Sequence, residues 1–187
     1  MHGMKMMGCA LAACLSRVNG FVPAAGGALR TQSVHSSALR MVSVGQAAPD
    51  FKLKDQKGKM VSLSSFKNKK NVVVFFYPKD STPGCTKEAC TFQGDLAKYK
   101  KAGAELVGIS SDEDHSDFVQ ENGLTMTLLS DVGGKVRKEW KVKGAVFGTI
   151  DGRVTYVLDK KGVVTSMYDN LLDGAAHSKE ALKALGV

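Results

Sequence analysis

From Val42 to the C-terminus the 187-residue chain holds only two cysteines, Cys85 and Cys90. That scarcity excludes a framework of structural disulfides, and a bridge closing so short a loop removes little unfolded-state entropy. Histidine is as scarce. Only His115 and His177 belong to this part, neither at ligand spacing to the cysteines, so zinc lacks a donor set and no metal is expected. No run of about 18 apolar residues occurs, so no mature membrane span is expected. Acidic residues are missing altogether from positions 1–41, which carry Lys5, Arg17, Arg30 and Arg40. The formal charge of +8 therefore overstates the remainder, where 22 basic and 18 acidic residues leave a net of +4. Those bases are scattered or sit in short lysine pairs beside acids. They lack the clustering and interleaved aromatics of a nucleic-acid patch, so no nucleic-acid partner is expected. What is present, 43% hydrophobic and 24% charged residues, fits one core-bearing domain with an extension.

Residues 1–41 read as a targeting presequence. Lys5 precedes a short apolar run, Met6 to Leu15, of signal-peptide size. Phe21-Val22-Pro23 follows, then a segment rich in Ala, Gly, Ser, Thr and Arg, with transit-peptide composition. The order resembles the two-part presequences that lead into secondary plastids, in which an aromatic residue follows the signal cleavage site; Phe21 stands in that place. A plain secretory signal and a mitochondrial presequence are the alternatives. Cys9 and Cys14 would leave with the leader and carry no chemistry.

The body, 42–187, divides into short elements. Ala48–Leu53 and Met60–Leu63 alternate like two strands joined at Lys57-Gly58, an N-terminal β-hairpin. Val72–Phe76 and Glu105–Ser110 are apolar runs of buried-strand type. Asp114–Asn122 reads as a helix closed by Gly123, Thr127–Leu129 as a strand, and Lys135–Trp140 as a short helix. Arg153–Leu158 and Val163–Tyr168 form a second hairpin, and Ala176–Leu185 a terminal helix. This order predicts an α/β, thioredoxin-like fold: a central mixed sheet flanked by helices.

The most informative segment is Tyr77 to Cys90. It leaves a buried strand and turns into a helix start, with Thr82 at the N-cap, Pro83 at the first helical position and Cys85 at the third. A cysteine there meets unpaired N–H groups and the positive end of the helix dipole, which favour thiolate. An ordinary thiol is only about 3% thiolate at pH 7, so a nucleophile needs such help. Arginine is suited to supply more, being always charged and offering a fork of donors. Arg153 opens the second hairpin beside Gly152 and can point back at the cysteine loop; a surface place at a strand start is its plainer reading. Lys79 and Lys87 look solvent-facing. A peroxide is one electrophile for such a thiolate, and attack on its O–O bond also needs the molecule oriented and its leaving oxygen stabilised. The Thr82 hydroxyl and the N–H groups of Gly84 and Cys85 suit that task, Gly84 allows close approach, and Pro78 and Pro83 stiffen the loop. Thr82 as a simple cap is compatible with this. Oxidation would leave a sulfenic acid on Cys85, and Cys90 can condense with it; an inert helix cysteine is the alternative for Cys90. Residues five apart in a regular helix lie roughly 8–9 Å apart, beyond the roughly 7 Å reach of a disulfide, so the first turns are expected to unwind on oxidation. Trp140, Phe147 and Phe92 are candidates to line a pocket or to fill the core. His115 and His177 read as surface residues.

These residues resemble the peroxiredoxins. The signature Pro-x-x-x-Thr-x-x-Cys is present as Pro78, Thr82 and Cys85, and the family's active-site arginine corresponds to Arg153. Cys90 stands where the Q-type, bacterioferritin-comigratory-protein-like subfamily keeps its resolving cysteine. Tyr77-Pro78-Lys79-Asp80 and the stretch Gly148 to Lys160 agree, the latter in the manner of plastid Q-type proteins. Leu171 to Gly174 departs from that pattern. The resemblance covers about 42–187. It implies reduction of hydrogen peroxide and organic hydroperoxides, a thioredoxin or similar dithiol protein as reductant, a monomer, no metal or haem cofactor, and a site-orienting role for Glu88. Two other functions fit these residues less well. A redox-controlled chaperone or peroxide sensor would not need Thr82 and Arg153, and a disulfide reductase would want Cys-x-x-Cys, which the four residues Thr86 to Ala89 deny.

Overall fold

The computed structural model describes residues 42–144 and 148–187. The expectations for the leader and for Phe147 lie outside the described residues. The described residues form seven strands: β1 (Lys52–Asp55), β2 (Met60–Ser62), β3 (Asn71–Phe76), β4 (Ala104–Ser110), β5 (Thr127–Ser130), β6 (Val154–Leu158) and β7 (Val164–Asp169). Five helices accompany them: α1 (Pro83–Gly94), α2 (Leu96–Lys101), α3 (Ser116–Asn122), α4 (Lys135–Glu139) and α5 (Gly174–Leu185). A 3-10 turn covers Leu63–Phe66.

The strands form one mixed sheet in the order β2-β1-β5-β4-β3-β6-β7. β3 pairs in parallel with β4 and antiparallel with β6. β3 is central and buried on both faces, which is why it reads as an unbroken apolar run. Side chains alternate across it. Val72, Val74 and Phe76 join one core with Trp140, Tyr156 and Val136. Val73, Phe75 and Tyr77 join the other, with Cys85, Phe92, Tyr99 and Leu182 under α1, α2 and α5. Phe92 and Trp140 are therefore core residues.

Most expected elements are present with shifted ends. The first hairpin begins at Lys52; Ala47, ahead of it, makes an isolated bridge to Val163. Gly123 closes α3 in the left-handed conformation, as expected. The terminal helix starts two residues early, at Gly174, because the Asp173 carboxylate caps it by accepting from Ala176 N. Two elements were not anticipated, the 3-10 turn and α2. Helix α2 follows α1 after a single residue, Asp95, so the two read as one polar stretch. Among the described residues no helix is long and apolar enough to cross a membrane.

Candidate active site

The site lies where β3 ends and α1 begins. Tyr77 N donates to Ile109 O at 3.1 Å, extending the β3–β4 ladder by one residue before the chain turns. Ser81 has φ 56°, a left-handed conformation that a non-glycine residue adopts only under constraint from its surroundings. Asp80 supplies that constraint. Its carboxylate accepts from Tyr77 Oη at 2.7 Å and lies 2.6 Å from His115 Nδ1, and its N–H donates to Asp112 at 2.9 Å.

Thr82 is the N-cap residue, in an extended conformation, with Pro83 at the helix start. Its carbonyl accepts the first helical bond from Thr86 N at 2.8 Å. The expected side-chain cap is not made: the Thr82 hydroxyl donates to Lys79 O at 3.2 Å, which ties the loop to itself. Pro78 is half-buried at the head of this loop, and Lys79 and Lys87 are exposed as expected. Cys85 occupies the third helical position and is 1% exposed.

Arg153 precedes β6 by one residue. The register pairs Phe76 with Val154, so Arg153 falls beside the β3 exit. It is buried, against the plainer reading of a surface position. Its Nη2 donates to Cys85 Sγ at 3.3 Å, Nη1 pairs with Glu88 Oε2, and Nε donates to Leu171 O at 3.0 Å. Glycine makes room for this fork at two places. A Cβ on Gly84 would lie 3.2 Å from Arg153 Nη2. One on Gly174 would lie 2.8 Å from Gly84 O and 3.2 Å from Arg153 Nη1. A side chain at Gly84 would therefore crowd the guanidinium.

Both histidines correct the expectation of surface positions: each is fully buried. His177 Nε2 donates to Asn170 O at 2.8 Å, so in the neutral ring Nδ1 accepts from Thr155 Oγ1, also at 2.8 Å. Burial pulls His177 down to about 4, with the Arg153 charge adding to the effect. For His115 burial acts downward too, but the hydrogen bond and charge of Asp80 outweigh it and hold the ring above its ordinary value. Glu88 is fully buried between Arg153 and His177, with burial pushing its carboxyl up to about 8 against the pull of Arg153.

Arg137 was missed by sequence reasoning. From α4 it donates to Tyr77 O and to Gly152 O, both at 2.7 Å, and its guanidinium carbon lies 5.4 Å from the centre of the Phe76 ring. It pins the exit of β3 to the residue before Arg153. In sequence it is one base of Lys-Val-Arg-Lys, with nothing to mark it as buried. Cys90 is the predicted residue that the site does not gather in. It is exposed on α1, its Sγ 3.7 Å from Asn122 Oδ1, and both thiols are free.

A buried cysteine at a helix start, held by an arginine fork on a thioredoxin-like sheet, defines a thiol-dependent oxidoreductase. Residues 44–167 match the AhpC/TSA family model. The chain is 54% identical over 157 residues to a chloroplastic peroxiredoxin Q of Populus jackii, covering 83% of this chain and 73% of that one. It is also similar to solved structures. The peroxidoxin BcpB of Mycobacterium tuberculosis superposes with a TM-score of 0.71 at 34% identity, over 78% of this chain and 97% of that one. The bacterioferritin comigratory protein of Xanthomonas campestris, described for its alkyl peroxide reduction activity, gives a TM-score of 0.66 at 29% identity, over 73% and 90%. The chain belongs to the peroxiredoxin Q family of thiol peroxidases.

Proposed function

We propose that the body reduces hydrogen peroxide and organic hydroperoxides through Cys85, with Cys90 as the resolving partner. The observation that carries this reading is the 3.3 Å hydrogen bond from Arg153 to the buried Cys85 sulfur. A fixed cation there favours thiolate and stands ready for the charge that develops on the leaving oxygen. Thr82 and the backbone at Gly84 and Cys85 orient the peroxide, and Pro78 and Pro83 hold the loop that carries them. The thiolate attacks the terminal peroxide oxygen, the O–O bond breaks, and water or alcohol departs from a Cys85 sulfenic acid. Cys90 condenses with it after the first turns of α1 open, and a thioredoxin or similar dithiol protein restores both thiols. The working form is a monomer of residues 42–187 with no metal or haem. Residues 1–41 direct it to a plastid, a reading supported by the chloroplastic name of the Populus relative.

The test is one equivalent of hydrogen peroxide added to reduced 42–187, followed by intact mass and peptide mapping, with Cys85→Ser and Cys90→Ser alongside. A fast loss of two hydrogens with a Cys85–Cys90 bridge is expected, and a trappable sulfenic acid in Cys90→Ser alone. Equal, slow reactivity at both cysteines would reject the assignment.

A further inference from the structure

Arg153 is one cation between two acidic groups. Its Nη2 meets Cys85 Sγ at 3.3 Å and its Nη1 meets Glu88 Oε2, and all three residues are buried. Among the described residues no other cation pairs with Glu88. His177 faces it from α5, Nδ1 at 3.7 Å from Glu88 Oε1, but burial keeps that ring neutral near pH 7. Arg137, from α4, is engaged with Tyr77 O, Gly152 O and the Asp151 carboxylate at 3.5 Å. The other titratable groups nearby are Asp173, ahead of α5, and Tyr168 from β7, whose ring lies 4.7 Å from that of His177. Glu88 Oε1 has no hydrogen-bond partner among the described residues, an odd situation for a buried carboxylate and an ordinary place for a proton.

Two negative charges against one positive charge in such a site would leave a buried net charge without compensation, which is strongly unfavourable. We propose that Glu88 is a positioning residue that exchanges charge with Cys85 across Arg153: protonated while Cys85 is thiolate, ionised once the sulfur is neutral. The inference rests on Cys85 being the peroxidatic thiol. The step balances as Cys85-S⁻ + ROOH + Glu88-COOH giving Cys85-SOH + ROH + Glu88-COO⁻. Sulfur loses two electrons, the O–O bond accepts them and breaks, an S–O bond forms, and the proton released by Glu88 matches the one taken up by the departing alkoxide. Arg153 then passes from pairing with thiolate to pairing with carboxylate and is compensated throughout.

The sign of the pH effect follows. Burial raises Glu88 to about 8, so above that value the carboxyl ionises beside the thiolate and has no proton to yield. The rate of Cys85 oxidation by peroxide is expected to fall about tenfold from about pH 7 to about pH 9, and to change less than about twofold in Glu88→Gln, which keeps an acceptor for Arg153 but cannot titrate. The same decline in both proteins, or none in the wild type, would overturn the proposal. Infrared spectroscopy gives an independent reading should Glu88→Gln fold poorly. Reduced protein near neutral pH should show the C=O band of a protonated carboxyl that Cys85→Ser lacks; a band of equal size in both would overturn the exchange. A band present in the reduced wild type and absent from Cys85→Ser, in a protein that peroxide oxidises slowly, would keep the exchange and reject the peroxidase reading.

Discussion

At the scale of single residues, the site depends on a guanidinium whose three contacts run in different directions, to a thiol, a carboxylate and a carbonyl. Arg153→Lys keeps the charge but not the fork. It should slow oxidation of Cys85 by about 10²–10³-fold, measured by stopped flow with excess peroxide. Gly174 has a different part. A methyl there must displace Gly84 O, at 2.8 Å, or the arginine beside it. Gly174→Ala should cost about 1–3 kcal/mol in urea denaturation and lower the peroxide rate as well, whereas a defect of packing alone would leave the rate of the folded fraction intact. The place of Cys85 at a helix start and the approach of Arg153 to it were legible in the sequence, the first from Thr82-Pro83 ahead of the cysteine and the second from the strand start beside Gly152. His115, His177 and Arg137 were not. Each is a polar residue in a polar stretch, and only tertiary packing puts it inside. The Thr82 hydroxyl was misjudged for a similar reason, since Lys79 O competes for it from within the loop.

Helix α1 carries one buried and one exposed cysteine. It buries Cys85, Glu88, Ala89 and Phe92, a stripe with helical spacing, and leaves Cys90 exposed on another face. In the mechanism proposed above, the first turns open so that the two thiols meet. The far end is anchored. Gln93 accepts from Thr125 N at 2.8 Å and donates to Thr125 Oγ1 at 3.0 Å, and Phe92 stacks on Phe75 at 4.4 Å. On oxidation, hydrogen exchange should quicken for the amides from 85 to 91 and stay slow at 92 to 94. Uniform protection along α1 in the disulfide form would contradict this picture. The start of the helix was visible in the sequence, through Thr82-Pro83; its end was not, because Asp95 alone divides α1 from α2.

On the scale of the whole molecule, the expected sequence of strands and helices was found, while the order of strands in the sheet was not legible. Joining β1 to β5 brings together residues more than 70 positions apart, and no local pattern encodes that choice. The same long-range assembly ties the cysteine loop to α3 through Asp80 and His115. Because His115 is held above its ordinary value, it contributes stability in full below the unfolded value of about 6.5 and loses it as pH rises through the native value. The stability advantage of the wild type over His115→Gln should therefore shrink from mildly acid to alkaline pH in urea titrations. A constant difference would place the effect in packing instead.

Trp140 is the chain's single tryptophan. It is fully buried, its ring centre 5.3 Å from that of Phe76 and 5.1 Å from that of Tyr156, and Phe76 has the Arg137 guanidinium against its own ring. Arg137 in turn holds the Tyr77 carbonyl at the mouth of the cysteine loop. The molecule thus carries a built-in fluorophore three contacts from the carbonyl at the mouth of the cysteine loop, and opening of the loop should alter the emission of an otherwise unlabelled protein. Opening of that loop on oxidation, as proposed for α1, is expected to be visible in light from the protein's own core.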